Sequence, residues 1–448
     1  MRSNEPALRV PDAAWDASFT RLSTELPARF AAHHEGYRRI KPAFTPLVVS
    51  PDAAREMWDT TRTCLARLRA RASRVLADGC GSALDGLGYP PDEASWLASI
   101  HTPAALDIAG SFARADFVLG PDGPRLVEIN VGPTVGGIGI LDRYADVVDD
   151  LPGAADLFRS TSPSVRLPRP AGPWGRALRR LADVPAGGPR PRIVLAVTDE
   201  EADIPIPHDA AHYLSAQGFD ATVARTSDIS FDGSRATVGE QRVDLVYGCF
   251  TYDEVITPRY RAFVDTALAC HARGGPVYVA PPVFSLLGNK AMLAMEDGEQ
   301  PADGPGGVAA TRLVTPAALA RARAERERLV LKPAIGYGGR GVVIGRAVSA
   351  EVWDERLRAA LARPHVLQDY VAPSSLDLPV AGGHAPFEVG IGCLYVDGHF
   401  AGFLARGVPA GTGGVANVHQ GAFFAPAACE SLDGCIPAGL AVSGSEGQ

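Results

Sequence analysis

The chain has 448 residues, of which 46% are hydrophobic and 21% charged, with 48 Gly and 37 Pro. That is enough for roughly two to three domains and a large buried core. Lys plus Arg number 43 against 51 Asp plus Glu, a net charge of −8, which excludes a general electrostatic binder of nucleic acid or of membrane surfaces.

Residues 1–95 read as a mostly helical region. In TRTCLARLRARASRVLADG the apolar residues Leu65, Leu68, Ala72, Val75 and Leu76 follow helical spacing. The arginines fall on the other face and read as solvated, and Gly79 is the expected stop. From Asp116 the pattern changes to strands. ADFVLGPDGPRLVEIN is two alternating runs around Pro121-Asp122-Gly123, a hairpin signal inside a unit spanning 96–165. The Pro-rich stretch 166–190 reads as a linker. Residues 191–285 alternate short buried strands (RIVLAV, ATVAR, VDLVYGCF, PVYVAPP) with helical segments, which predicts a small parallel α/β domain. In 286–427, LVLKPA and GVVIG flank a glycine-rich turn, HVLQDYV is a strand, and GIGCLYVDGHFAGFLAR is a hairpin turning at Asp397-Gly398. The tail after Pro426, and the unit 428–448 above all, reads as flexible.

No apolar run reaches about 18 residues, so no transmembrane helix is expected. The seven cysteines form no CxxC pair and are odd in number. Reduced thiols and a cytoplasmic location are the expectation, without a disulfide framework or zinc site.

Several residues carry chemistry. A three-residue loop at Pro121–Gly123 would set Asp116 opposite Glu128, and Asn130 shares the face of Glu128. Oxygens of this kind suit Mg²⁺ shared with substrate phosphates, although the spacing also fits an ordinary polar hairpin face. Arg114, two before Asp116, has the geometry to clamp a phosphoryl group or a carboxylate. In LKPAIGYGGRGV, Gly336, Gly338, Gly339 and Gly341 allow backbone N–H groups to close around phosphate, with Lys332 just before them. The order is neither a Walker A motif nor a Rossmann fingerprint. Lys290 opens an apolar run, Glu388 precedes the last hairpin, and Arg406 leads into GTGGVAN. There is no GxSxG and no HExxH, and His101 and His419 pair with no nucleophile.

These motifs, in this order, resemble the circularly permuted ATP-grasp ligases, the group of eukaryotic-type glutathione synthetase and of the synthetase part of glutathionylspermidine synthetase. RADF, LVEIN, GNKAMLA, LVLKPAIGYGGRG, QDYV, FEVGI and LARGVPAGTGGVAN carry the resemblance, over residues 100–427. It implies an α/β (α+β) ATP-grasp fold, circularly permuted, with the 191–285 unit as an inserted substrate or lid domain. By that resemblance Asp116, Glu128 and Asn130 hold Mg²⁺, and Lys290 and Lys332 contact ATP. Gly336, Gly338, Gly339 and Gly341 cover its phosphates, and Gln368, Asp369, Tyr370 and Val371 meet the adenine. Glu388 approaches the ribose or base, and Gly413 and Gly414 lie in a loop over the site. Arg114 stabilises the transferred phosphoryl group, and Arg406 binds a substrate carboxylate. The glycine-rich loop lacks the acidic residue that family members often carry there, which leaves the number of magnesium ions open, and no counterpart of a cysteine amidase domain is seen.

The expected activity is ATP-dependent joining of a carboxylate and an amine through an acyl phosphate, with amino-acid, peptide or polyamine substrates; small-peptide natural-product synthesis is one setting that fits. No nucleic acid or membrane partner is expected, and a homodimer is allowed. The alternatives are a small-molecule kinase on the same nucleotide site and a non-catalytic nucleotide-binding protein.

Overall fold

A computed structural model describes residues 6–429 apart from 11–16, 35, 38–40, 46, 78–80, 160–163, 185–187, 202, 295–306, 337, 381–382 and 412–421. In chain order its strands begin with β1 (Leu8–Arg9), β2 (Leu47–Val49), β3 (Phe112–Gly120) and β4 (Gly123–Val131). Then come β5 (Arg192–Val197), β6 (Asp220–Arg225), β7 (Ile229–Asp232), β8 (Arg235–Val238), β9 (Gln241–Arg242), β10 (Leu245–Gly248) and β11 (Val277–Val279). The last are β12 (Thr311–Leu313), β13 (Leu329–Pro333), β14 (Val343–Ile344), β15 (His365–Asp369), β16 (Ser375–Val380), β17 (Gly383–Val396), β18 (His399–Pro409) and β19 (Phe423–Cys429).

Among the described residues, eight strands form the large sheet in the order β1-β2-β19-β18-β17-β3-β4, with β16 also on β17. The predicted Asp397-Gly398 turn joins β17 to β18, and both residues take the positive φ (+48° and +85°) that a tight hairpin needs. Helix Pro51–Ala77 lies on this sheet. Met57, Thr61, Cys64, Leu65, Leu68, Ala72 and Leu76 form its buried stripe, and Trp58 stacks on Tyr395 at 5.8 Å. The predicted stop, Gly79, lies outside the described residues. The arginine face is not wholly solvated as expected. Arg71 donates to the carbonyls of Met292 (3.1 Å) and Ala294 (2.7 Å), pinning a distant segment to the helix.

The first hairpin holds a second difference. Gly120 pairs directly with Gly123, so the loop is two residues rather than three. The register shifts at Asp116/Phe117, where Phe117 faces Leu126 and Asp116 faces Glu128, so Val127 is an extra residue in β4. The expected pairing of Asp116 with Glu128 therefore holds, but a bulge supplies the offset rather than the turn.

The 191–285 segment carries the expected parallel sheet, order β11-β10-β5-β6, flanked by helices Pro205–Ala216 and Pro258–Ala272. β5 is apolar from Ile193 onward because both its faces are covered: Val194 and Ala196 join one core, Ile193 and Leu195 the other. The small antiparallel sheet β7-β8-β9 was not foreseen. Within the Pro-rich linker, Ala171–Leu181 is a helix, and its Trp174 packs on Tyr247 of β10 at 5.3 Å.

A third sheet, β12-β15-β13-β14, is antiparallel and lies over helix Ala350–Ala359 through Leu329, Leu331, Trp353, Leu357 and Leu367. It joins the large sheet where Ala309 N–H donates to Leu126 O (2.8 Å) and Leu126 N–H to Gly307 O (3.3 Å). Two expectations change at the chain's ends. β1 and β2, inside the region read as helical, belong to the large sheet, and β19 runs through Cys429, past Pro426, pairing in parallel with β2. Cys64, Cys249 and Cys270 are free thiols, and no described helix is long and apolar enough to cross a membrane.

Candidate functional site

Asp116 lies on β3 and Arg406 on β18, with β17 between them. The register puts Gly392 opposite Asp116 and Gly390 opposite Arg406, on one face. With no side chains there, Arg406 reaches across β17 to Asp116, while Arg114, on the same strand as Asp116, lies over Gly392. Arg114 binds Asp116 bidentately, Nε to Oδ1 at 2.7 Å and Nη2 to Oδ2 at 3.0 Å. Arg406 Nη2 is 2.7 Å from Oδ2, and Asn130 Nδ2 donates to the same oxygen at 2.9 Å. A Cβ on Gly392 would stand 2.6 Å from Arg114 Cδ, so the arginine needs that glycine. Arg114 also donates to Val135 O. Burial opposes ionisation of Asp116, but Arg114 and Arg406 outweigh it and hold the carboxyl at about 2.

Glu128 belongs to the adjoining cluster. Lys290, on a short 3₁₀ turn, places Nζ 2.8 Å from Glu128 Oε1 and donates to Gly336 O at 2.8 Å. Its side chain is buried and not on a helix surface. Lys290 thus ties β4 to the start of the glycine-rich loop. Burial pushes the Glu128 carboxyl up, but Lys290 and Lys332 bring it below the ordinary range.

Lys332 is the penultimate residue of β13 and is 9% exposed. Its Nζ donates to Gln368 Oε1 at 2.6 Å and to the bulged Val127 O at 3.1 Å. Burial pulls its ammonium down to about 8, with Glu128 opposing and Lys290 adding to the fall. In the loop beyond, Gly338, Gly339 and Gly341 have φ of +66°, +75° and +73°, backbone that only glycine adopts at little cost.

The expected adenine segment divides. The Gln368 side chain is turned inward onto Lys332, and Asp369 is exposed, 3.8 Å from Arg312. Tyr370 N–H donates to Arg328 O, and its ring lies under Arg346 at 4.7 Å. Val371 packs beside Gly120. Glu388 Oε1 accepts from Gly411 N–H at 3.2 Å. Gly413 and Gly414 lie outside the described residues.

Four cations, Arg114, Arg406, Lys290 and Lys332, thus stand with two carboxylates, Asp116 and Glu128, where the large and third sheets meet. The net charge of +2 suits a polyanion. Among the described residues no group of three or more His, Cys, Asp or Glu side chains is placed to hold a metal. Both oxygens of Asp116 already accept from guanidiniums, and Oδ2 also accepts from an amide, so it acts here as the anchor of two arginines. Oxygen donors remain on Glu128 and Asn130, which fits a magnesium ion that keeps waters and shares phosphate oxygens.

Four contributors escaped the sequence reading: Gly390, Gly392, Val127 and Thr311. The Gly-x-Gly of FEVGIGCLY was a usable signal, since alternate glycines clear one face of a strand. Nothing local marked the other two.

No protein-family model matches the chain, and no curated protein matches it by sequence. Among solved structures it is similar to a glutathione synthetase-like effector from Globodera pallida in its apo form, at 11% identity over 94% of this chain and 99% of that one, with a TM-score of 0.51. It also overlays in part on D-alanyl-alanine synthetase A from Vibrio cholerae (15% identity, 49% and 68% covered, TM-score 0.30). A further partial overlay is on the ATP-grasp ligase PsnB complexed with minimal precursor (14% identity, 54% and 91% covered, TM-score 0.30). The first likeness, over nearly the whole of both chains, bears on the fold, and the chain has the ATP-grasp fold.

Proposed function

We propose that the chain is an ATP-dependent carboxylate–amine ligase acting on a small-molecule acid and amine. The carrying observation is the meeting of Arg114, Arg406, Lys290 and Lys332 over Asp116 and Glu128 beside a glycine-rich loop. Lys290 and Lys332 meet ATP phosphates, and the backbone of Gly338 to Gly341 closes over them. Glu128 and Asn130 would hold Mg²⁺, which supplies charge neutralisation on the phosphates. Arg114 faces the transferred phosphoryl group and Arg406 the substrate carboxylate, both oriented by Asp116. The acid's carboxylate takes the γ-phosphoryl group as ADP leaves, and the amine then displaces phosphate to give an amide. Such a transfer is largely positioning and charge neutralisation.

The test is mass spectrometry of the protein with ATP, Mg²⁺ and panels of amino acids, peptides and polyamines. ADP with a product one water lighter than its two parents is expected. ADP with only a phosphorylated acceptor would instead establish a phosphotransferase.

Gly392→Ala probes the close approach of Arg114 to β17. The new Cβ would stand 2.6 Å from Arg114 Cδ, too close for contact, so the guanidinium must shift. Turnover is expected to fall on the order of 10²-fold, the cost of misplacing a charged group by about an ångström. Far-ultraviolet circular dichroism should be unchanged.

A further inference from the structure

We infer that Thr311 and Gln368 are positioning residues that aim the Lys332 ammonium, an inference that rests on the nucleotide site proposed above. Neither was assigned this role from the sequence: Gln368 was expected at the adenine, and Thr311 had no role.

The orientation follows from counting hydrogens. A threonine hydroxyl has one hydrogen, and Thr311 Oγ1 gives it to Ala309 O at 2.8 Å. Toward Gln368 it can therefore only accept, and Gln368 Nε2 donates to it at 2.9 Å. That fixes the carboxamide, since its nitrogen is turned to Thr311 and Oε1 must face Lys332 Nζ, 2.6 Å away. The other orientation would set an NH₂ group against an ammonium. Thr311 is 1% and Gln368 2% exposed, so water does not substitute for either partner.

The chain of bonds closes on itself. Lys332 Nζ donates to Val127 O, and the preceding residue, Leu126, accepts from Ala309 N–H at 2.8 Å. The circuit thus runs from β4 through Ala309, Thr311, Gln368 and Lys332 back to β4. Two of the three ammonium hydrogens are fixed by neutral acceptors, and the third keeps a set direction. The bulge at Val127 has a use in this arrangement: it brings a carbonyl to the lysine at the junction of the two sheets.

Thr311→Val keeps the shape of the side chain and removes the hydroxyl. Gln368 Nε2 then loses its acceptor, and nothing prevents the carboxamide from turning. Calorimetric titration with ATP and Mg²⁺ is expected to show about tenfold weaker binding, the worth of one misdirected buried hydrogen bond. Thr311→Ser should restore binding to within about twofold, which general loosening of the core would not produce. A second readout needs no nucleotide: the rate at which an N-hydroxysuccinimide ester acylates Lys332, located by peptide mass spectrometry. It should change several-fold in Thr311→Val and return in Thr311→Ser. ATP binding and Lys332 labelling both unchanged in Thr311→Val would overturn the positioning role and leave the nucleotide site standing. If the unaltered protein bound no ATP, the proposed function would fall. The labelling rate alone would then decide whether Thr311 orients the lysine.

Discussion

Asp116→Ala is expected to cost about 3–5 kcal/mol of stability, because it leaves two guanidiniums buried without a counter-charge. Arg114 and Arg406 are 11% and 12% exposed at the side chain, and water cannot take over the role of the carboxylate. The loss should appear as a lower midpoint in urea denaturation. pH adds a signature. The carboxyl is held at about 2, below its ordinary value. Ionised Asp116 therefore stabilises the fold fully above about pH 4, and its contribution fades as the pH falls toward 2. Wild type and variant should accordingly converge in stability under acid. A variant as stable as wild type at neutral pH would show that the cluster is not held through Asp116.

Lys332→Met should leave the fold nearly intact and lower turnover on the order of 10²–10³-fold. Methionine preserves much of the apolar stem and removes the ammonium, so Gln368 and Val127 each lose one donor while the packing is largely kept. ADP release measured beside a denaturation midpoint separates the two effects. The pH dependence has a definite sign. The ammonium titrates at about 8 in the nucleotide-free protein, and only its charged form attracts phosphate. ATP affinity should thus weaken as the pH rises above about 8, and Lys332→Met should lack that limb. Near-normal turnover in the variant would remove Lys332 from the site.

Much of this arrangement was legible in the sequence wherever the signal was local. RIVLAV is apolar on both faces because a parallel strand is covered on both, and Asp397-Gly398 is a turn because positive φ favours those residues. The alternation of Arg114, Asp116, Glu128 and Asn130 put them on one face before any coordinate did. What escaped were pairings across long separations. β1 and β2 have two and three residues, too few to show a period, and they are strands because β2 pairs with the distant β19 and β1 with β2. Gln368 read as part of an extended edge, yet its inward carboxamide depends on Thr311, 57 residues earlier. Arg71 looked like one more arginine on a wet face, and its carbonyl partners lie more than 200 residues away.

The strand order of the large sheet sets a timetable for synthesis. β17 lies between β3 and β18, and β18 between β17 and β19, so the middle of the sheet is made after its flank. When β3 and β4 leave the ribosome, the open side of β3 waits for Gly390 onward before a neighbour exists. At the usual speed of translation the wait is about ten to fifty seconds. During it, a strand bearing Phe112, Phe117 and Leu119 has one bare edge. A nascent chain stalled before β17 would therefore be a target for chaperones, or would aggregate.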